Sequence, residues 1–160
     1  MEDERNEFDK EIMNEFPTLF PVNENTKRNT VMLYGLECDA GWNSIIKETL
    51  SKLSYFPIII AQIKQKFGGL RIYWEPNKDV HGEKEDFDKV REIIFEADKK
   101  ASNTCEWCGK PGSTKGSKNW IRVLCPECRE NEEKIKEERM EAYHKKIKEE
   151  RLQREPAKNE

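Results

Sequence analysis

The sequence lacks long apolar runs and contains very little histidine. No stretch approaches the ~18 consecutive apolar residues of a transmembrane helix, so we expect no membrane span. The acidic residues 1–7 also lack the basic and then apolar pattern of a secretory signal, which predicts a cytoplasmic protein. The two histidines, His81 and His144, are too few for a histidine-rich zinc nuclease.

Motifs of the common enzyme classes are also absent. We find no Ser/His/Asp set, no phosphate-cradling glycine loop and no dinucleotide fingerprint. The order of His81, Glu83 and a later Cys-x-x-Cys pair is similar to the metal-binding motif of the zinc deaminases. However, Pro126 lies inside a cysteine pair instead of before it, and a His81 ligand would leave the first pair unused. The sequence therefore favours a non-enzymatic protein, with His81, Glu83 and Asp39 as its only candidate catalytic residues.

Charge is abundant but unevenly distributed. Charged residues make up 38% of the chain and hydrophobic residues 35%. Residues 129–160 hold ten basic, ten acidic and seven apolar side chains, which predicts a long charged helix without a core of its own. The net charge of -3 argues against indiscriminate nucleic-acid binding, yet residues 99–128 carry six bases against two acids and would attract an anionic partner.

Four of the five cysteines form two Cys-x-x-Cys pairs. Cys105 and Cys108 are separated from Cys125 and Cys128 by sixteen residues, a spacing that lets two short turns close around one zinc ion. Thiolates are soft anionic donors that suit zinc, and Gly109 fits the tight turn after the first pair. Because sulfur would occupy all four tetrahedral positions, none remains for water or substrate, and the ion is predicted to be structural.

Two disulfides are the alternative arrangement of these four cysteines. They require an oxidising compartment, which the lack of a secretory signal does not favour. The fifth cysteine, Cys38, lies outside the pairs. A free buried thiol is the simpler interpretation of Cys38, and a reactive thiol is the alternative.

Apolar spacing predicts three helices ahead of the cysteine pairs. They cover about residues 3–15, 42–53 and 86–100, and Asp39 stands where the second helix would be capped. The apolar run Val31–Tyr34 predicts a short buried strand between the first two helices.

A β-hairpin is predicted between the second and third helices. The β-branched run from Ile58 to Phe67 is the first predicted strand, and it ends at Gly68-Gly69, which accepts the positive φ angles of a two-residue turn. Leu70–Trp74 is the predicted second strand. Without a bulge, this turn places Phe67 opposite Leu70. The resulting core face contains Phe67, Gln65, Ile63, Leu70, Ile72 and Trp74. The exposed face pairs Lys66 with Arg71, Lys64 with Tyr73 and Gln62 with Glu75.

An exposed basic surface follows from this register. Like charges opposed across strands are unfavourable, so either an acidic neighbour or a bound anion should neutralise Lys66 and Arg71. The segment between the cysteine pairs adds a basic loop, residues 110–119, and then a strand leading into the second pair. Trp107 and Trp120 either cover the small core of this ribbon or stack on nucleic-acid bases beside its cations. The predicted binding residues are Lys64, Lys66, Arg71, Tyr73, Lys115, Lys118 and Arg122.

Three short motifs occur together in the chain: Gly41-Trp42, then Lys64-x-Lys66-Phe67-Gly68-Gly69-Leu70-Arg71-x-Tyr73, and then Cys-x-x-Cys-Gly. Over about residues 19–128, this combination resembles a family of small bacteriophage and prophage proteins for which no activity is established. The resemblance implies expression in the cytoplasm of a bacterial host, among accessory genes that include DNA-associated and host-countering proteins.

The sequence as a whole predicts an α+β protein with three parts. These are a helix-and-hairpin domain over residues 1–100, a four-cysteine zinc ribbon over residues 101–128 and a charged helical tail over residues 129–160. We expect a non-enzymatic zinc-binding protein that binds nucleic acid or another phosphate-bearing partner. The alternative function is a protein-binding adaptor or inhibitor that acts on a host factor. The oligomeric state is left open.

Overall fold

The structure, a computed structural model, describes residues 6–21, 31–79, 87–117 and 120–154. Its helices and strands are α1 Glu7–Glu15, α2 Asn43–Leu53, β1 Ile58–Lys66, β2 Gly69–Pro76, α3 Phe87–Ala101, β3 Ser113–Ser117, β4 Trp120–Leu124 and α4 Pro126–Arg154. Two short 3₁₀ turns, Val31–Tyr34 and Ala40–Trp42, precede α2. The α+β class predicted from the sequence is confirmed.

The chain divides into two compact units, Met1–Cys125 and Pro126–Glu160. The first unit holds the hydrophobic core, where burial of each large aliphatic side chain stabilises the fold by about 1.5–3 kcal/mol. Its fully buried side chains include Ile12, Leu19, Trp42, Ile46, Leu50, Leu53, Ile58, Ile60, Ile63, Leu70 and Leu124. The second unit consists of α4, the charged helix expected near the C-terminus. The finer division into three parts stays a prediction.

The first helix begins at a side-chain cap. The Asn6 side-chain oxygen accepts the N–H of Asp9 at 2.9 Å, which satisfies one of the donors left over at a helix start. Ile12 and Phe16 are buried in the core, and α1 ends just before Pro17. The predicted helix is therefore confirmed from Glu7 onward, and residues 1–5 lie outside the described residues.

The segment Val31–Tyr34 is a 3₁₀ turn, so the predicted strand was wrong. The N–H of Gly35 bonds to the carbonyl of Met32 at 3.0 Å, and Gly35 takes a φ of 83° that redirects the chain. Strand-like pairing begins instead at Glu37, which exchanges backbone hydrogen bonds with Ile63 and Gln65 of β1. Glu37, which follows the apolar run Val31–Tyr34, thus pairs with the edge of β1.

The second helix carries the buried series that its apolar spacing predicted. Its buried residues are Ile45, Ile46, Thr49, Leu50 and Leu53. Asp39 precedes the 3₁₀ turn Ala40–Trp42 and makes no capping hydrogen bond, so its predicted role was wrong. Its carboxylate instead accepts a hydrogen bond from the Arg122 guanidinium at 2.9 Å and forms an ion pair with it.

The hairpin forms, but its turn lies one residue earlier than predicted. Phe67 and Gly68 are the turn residues, and Lys66 pairs with Gly69. Lys64 therefore lies opposite Arg71, and Gln62 lies opposite Tyr73 after a register shift between Ile60 and Gln62. Between the bulge and the turn each residue's predicted partner moves by two positions, so these residues keep their predicted faces. Phe67 is the exception, because it leaves the core face for the turn and is 71% exposed.

Gly69 belongs to β2 and lies close to the Arg71–Asp98 ion pair. A Cβ at Gly69 would lie 2.7 Å from Arg71 Nη1 and 2.8 Å from Asp98 Oδ1, so a side chain here would displace the ends of these two side chains. Only Gly68, of the two glycines, takes a positive φ angle, 76°. The second glycine thus lies in the strand beside Asp98 of α3 and not in the turn.

The third helix and the ribbon complete the first unit. α3 buries Val90, Ala97 and Ala101, as its apolar spacing predicted. β3 pairs antiparallel with β4, so residues 113–117 of the predicted basic loop form a strand and the loop prediction was wrong there. The predicted strand β4 is confirmed, and it needs a partner for its backbone groups, which β3 supplies.

Candidate metal centre and hairpin surface

The structure brings together the four cysteines predicted as metal ligands. The Sγ atoms of Cys105, Cys108, Cys125 and Cys128 all lie within 4.8 Å of one another. Those of Cys108 and Cys125 are 3.6 Å apart, close to the ~3.8 Å between sulfurs around a tetrahedral ion with metal–sulfur bonds of about 2.3 Å. A disulfide would require about 2.05 Å, and none of the five cysteines forms one. The four cysteines are therefore positioned to hold one metal ion.

The first pair of cysteines lies in a tight turn. The Gly109 N–H bonds to the Cys105 carbonyl at 2.9 Å, and the Cys105 N–H bonds to the Lys110 carbonyl at 2.7 Å. Gly109 has a φ of 75°, a left-handed conformation that favours glycine, as the sequence predicted for this position. The turn thus aims both side chains of the pair toward the same point.

Backbone N–H groups favour the thiolate form of Cys105. Burial is the largest influence and raises the pKa of its thiol, but N–H groups of Cys125, Cys108 and Trp107 outweigh it and lower the pKa to about 7. The thiolate is the form that binds a metal. The local backbone is therefore arranged for a sulfur anion at the most deeply buried ligand.

The second pair joins a strand to a helix. Cys125 directly follows β4, and Cys128 lies in the first turn of α4 after Pro126. Proline is favoured at the first position of a helix because its missing N–H would have no intrahelical partner there. The positive end of the helix dipole also stabilises nearby thiolates.

The first cysteine turn packs directly on the helix-and-hairpin core. The Gly41 N–H bonds to the Glu106 carbonyl at 2.7 Å, and Trp42 Nε1 donates to the Thr104 carbonyl at 2.8 Å. A Cβ at Gly41 would lie 2.2 Å from the Cys105 carbonyl oxygen, so only glycine fits. The sequence singled out Gly41-Trp42 as a motif but did not indicate that it supports the metal centre.

Both predicted binding arginines, Arg71 and Arg122, are engaged within the protein. Arg71 Nη1 is 2.5 Å from Asp98 Oδ2, so an acidic neighbour, one of the two expected possibilities, neutralises this residue. Arg122 bonds to Asp39 and lies over the Trp107 ring, 5.8 Å from its centroid. Both arginines contribute to the packing of the first unit, and their part in ligand binding stays a prediction.

The lysines of the hairpin lie beside exposed aromatic rings. Lys64 Nζ is 5.2 Å from the centroid of the Tyr73 ring, and Lys66 Nζ is 5.5 Å from that of Phe67. Tyr73 is 42% exposed and Phe67 71%. We call Lys64, Lys66, Phe67 and Tyr73 the hairpin surface. Phe67 was missed as a surface residue because the predicted register put it in the core.

The ribbon adjoins this surface at the hairpin turn. Gln65 Nε2 donates to the Ile121 carbonyl at 2.5 Å, and a Cβ at Gly68 would lie 2.9 Å from the Ile121 side chain. Lys115 is exposed on β3, where it pairs across the strands with Arg122. Lys118 lies outside the described residues.

Cys38 has the properties of an inert thiol. It is half-buried, and burial together with the negative charges of Glu106, Asp39, Asp9 and Glu37 raises its pKa to about 12. A thiol that stays protonated is a poor nucleophile, which favours the free-thiol interpretation over the reactive one.

In the part of the chain that the structure describes, the candidate catalytic residues are not brought together into a site. His81 and Glu83 lie outside the described residues, and Asp39 is bonded to Arg122.

Comparison of the chain with protein-family models, with curated proteins and with solved structures finds no match. Among the described helices, none is both long and apolar enough to cross a membrane. The function is therefore inferred from the geometry of the metal centre and of the hairpin surface.

Proposed function

We propose that the four cysteines hold a structural zinc ion. Support comes from the donor set, because four thiolates within 4.8 Å of one another can fill the four tetrahedral positions of zinc and leave none for water or substrate. When bound, such an ion supplies folding free energy and no catalysis. With no open coordination position the ion itself would not be catalytic, and we propose that the protein is non-enzymatic.

We further propose that the hairpin surface binds nucleic acid. The observation that carries this proposal is the pairing of each exposed ring, Tyr73 and Phe67, with a lysine ammonium group. Aromatic faces stack on bases and lysines contact phosphates, which is the combination found in proteins that bind nucleic acid strands. Lys115 is a further exposed positive charge on the ribbon. A bacteriophage or prophage origin, and with it a host cytoplasm, is compatible with this role and is likewise a proposal.

Lys66 offers the most direct test of the proposed contact with phosphate. Lys64 is flanked by Glu37, with which it forms a parallel bridge, whereas Lys66 lies beside the hairpin turn. We expect Lys66→Glu to weaken binding of a short labelled oligonucleotide about tenfold at low salt. We also expect the slope of log affinity against log salt to become shallower by about 0.7, because one counterion-releasing contact is lost. Fluorescence anisotropy titrations at several salt concentrations measure both quantities.

Lys89→Glu is the matched control for this change. Lys89 is exposed in the first turn of α3, where a carboxylate is compatible with the helix dipole, and we expect binding to change less than about twofold. Unchanged affinity and slope in the Lys66 variant would contradict the proposal. Recovery of one host protein by both the wild type and the Lys66 variant, after nuclease treatment, would instead favour the adaptor.

A further inference from the structure

Phe67 occupies a position that neither the turn nor the core requires. Phe67 and Gly68 have φ angles of 54° and 76°, which define a type I′ turn. This turn favours Asn or Gly at its first position, and a bulky residue with positive φ is strained. The ring is also 71% exposed, so it gains little from burial. Strain and exposure at one residue point to a role outside folding.

The ring is presented from a rigid base. The hairpin turn packs against the ribbon, where a Cβ at Gly68 would approach the Thr114 and Ile121 side chains at 3.3 and 2.9 Å. The Gln65 amide is bonded to the Ile121 carbonyl. Two β-hairpins thus support each other at the turn. A ring held in this way loses less conformational entropy on binding than a ring on a free loop.

The charges and aromatic rings around Phe67 fit a strand of nucleic acid with unpaired bases. Lys66 Nζ lies beside the ring and could contact a phosphate while the ring face meets a base. Tyr73 lies four residues from Gly69 along β2, about 13 Å at strand spacing, and offers a second ring with Lys64 beside it. Two rings, each with its own lysine, match the alternation of bases and phosphates along a single strand.

We propose that Phe67 is a stacking platform for an unpaired base and that the hairpin surface therefore binds single-stranded nucleic acid in preference to duplex. This inference rests on the proposed function and specifies its ligand. In duplex DNA the base faces are already stacked on one another, so Phe67 has no face to contact. Lysine contacts with phosphate alone would not distinguish the two forms.

Phe67→Asn separates the binding role from a structural one. It creates Asn-Gly, the preferred pair for a type I′ turn, so we expect the melting temperature to stay the same or rise. We expect affinity for labelled single-stranded oligothymidine to fall about tenfold, with an unchanged salt slope, because the lost contact is to a base and not to a phosphate. Phe67→Tyr keeps the ring, and its affinity should stay within about twofold of the wild type.

Phe67→Gly provides a second variant, because glycine also accepts the φ angle of the turn. Wild-type affinity in both the Asn and the Gly variants would overturn the stacking role. If the Phe67 variants bound like the wild type but Lys66→Glu still weakened binding, the hairpin surface would bind nucleic acid without base stacking on Phe67. Equal affinity of the wild type for single strand and duplex also overturns the inference. No binding of either form would overturn the proposed function itself.

Discussion

Replacing Cys105 with serine is expected to release the bound metal and to destabilise the first unit strongly. Cys105 is fully buried, and its sulfur accepts several backbone N–H groups, so a neutral hydroxyl there is a poor substitute for a thiolate ligand. A structural zinc site contributes on the order of 10 kcal/mol to small modules. We expect a loss of at least about 4 kcal/mol, which lowers the melting temperature of a chain of this length by roughly 10 °C or more.

Metal content by mass spectrometry and melting by circular dichroism measure the two effects. Cys38→Ser is the matched control, because Cys38 is a free cysteine outside the cluster. It should retain one metal ion per chain. Removal of the metal from the wild type with a chelator should reproduce the melting temperature of the Cys105 variant. An unchanged metal content or an unchanged melting temperature in Cys105→Ser would show that these cysteines do not form a structural site.

Gly41→Ala is expected to have the second largest effect, although it adds only one methyl group. The new Cβ would lie 2.2 Å from the Cys105 carbonyl oxygen and 2.4 Å from that of Glu106. Both are backbone atoms, so the cysteine turn has to move away, and the hydrogen bond from the Gly41 N–H to Glu106 is lost with it. Overpacking and the lost bond together should destabilise the protein by about 3 kcal/mol or more.

The same displacement should weaken metal binding, because Cys105 belongs to the turn that moves. Competition with a chromogenic chelator measures the metal affinity, and urea denaturation measures the stability. Ala40→Ser adds one heavy atom at the exposed neighbouring position and should change neither. A Gly41 variant with wild-type stability would show that the contact between the 3₁₀ turn and the cysteine turn is loose.

The features recognised from the sequence are those that depend on local spacing. The two Cys-x-x-Cys pairs and Gly109 follow from the geometry of one turn, and the buried series of α2 follows from helical periodicity. The existence of the hairpin was predicted for the same reason. Its turn was misplaced, because the sequence favours Gly-Gly as the turn pair, whereas in the structure Gly69 belongs to the strand and lies beside Asp98.

Charged residues were harder to assign from the sequence than cysteines. Arg71 and Arg122 find their carboxylates at Asp98 and Asp39, which are 27 and 83 residues away in the chain. No local pattern contains such a pairing. Lys64 and Lys66 were placed on the exposed face correctly, since the alternation of a strand depends only on residue parity.

The identity and spacing of the side chains alone determined that this chain has four cysteines placed to hold one metal ion, an α+β core and a long charged helix. The tertiary structure decided which cations are neutralised, why Gly41 has no side chain and where Phe67 lies. The physical reason is the sequence separation over which each interaction acts. Turn geometry and periodicity act over a few residues, whereas ion pairs and close backbone contacts join segments that only folding brings together.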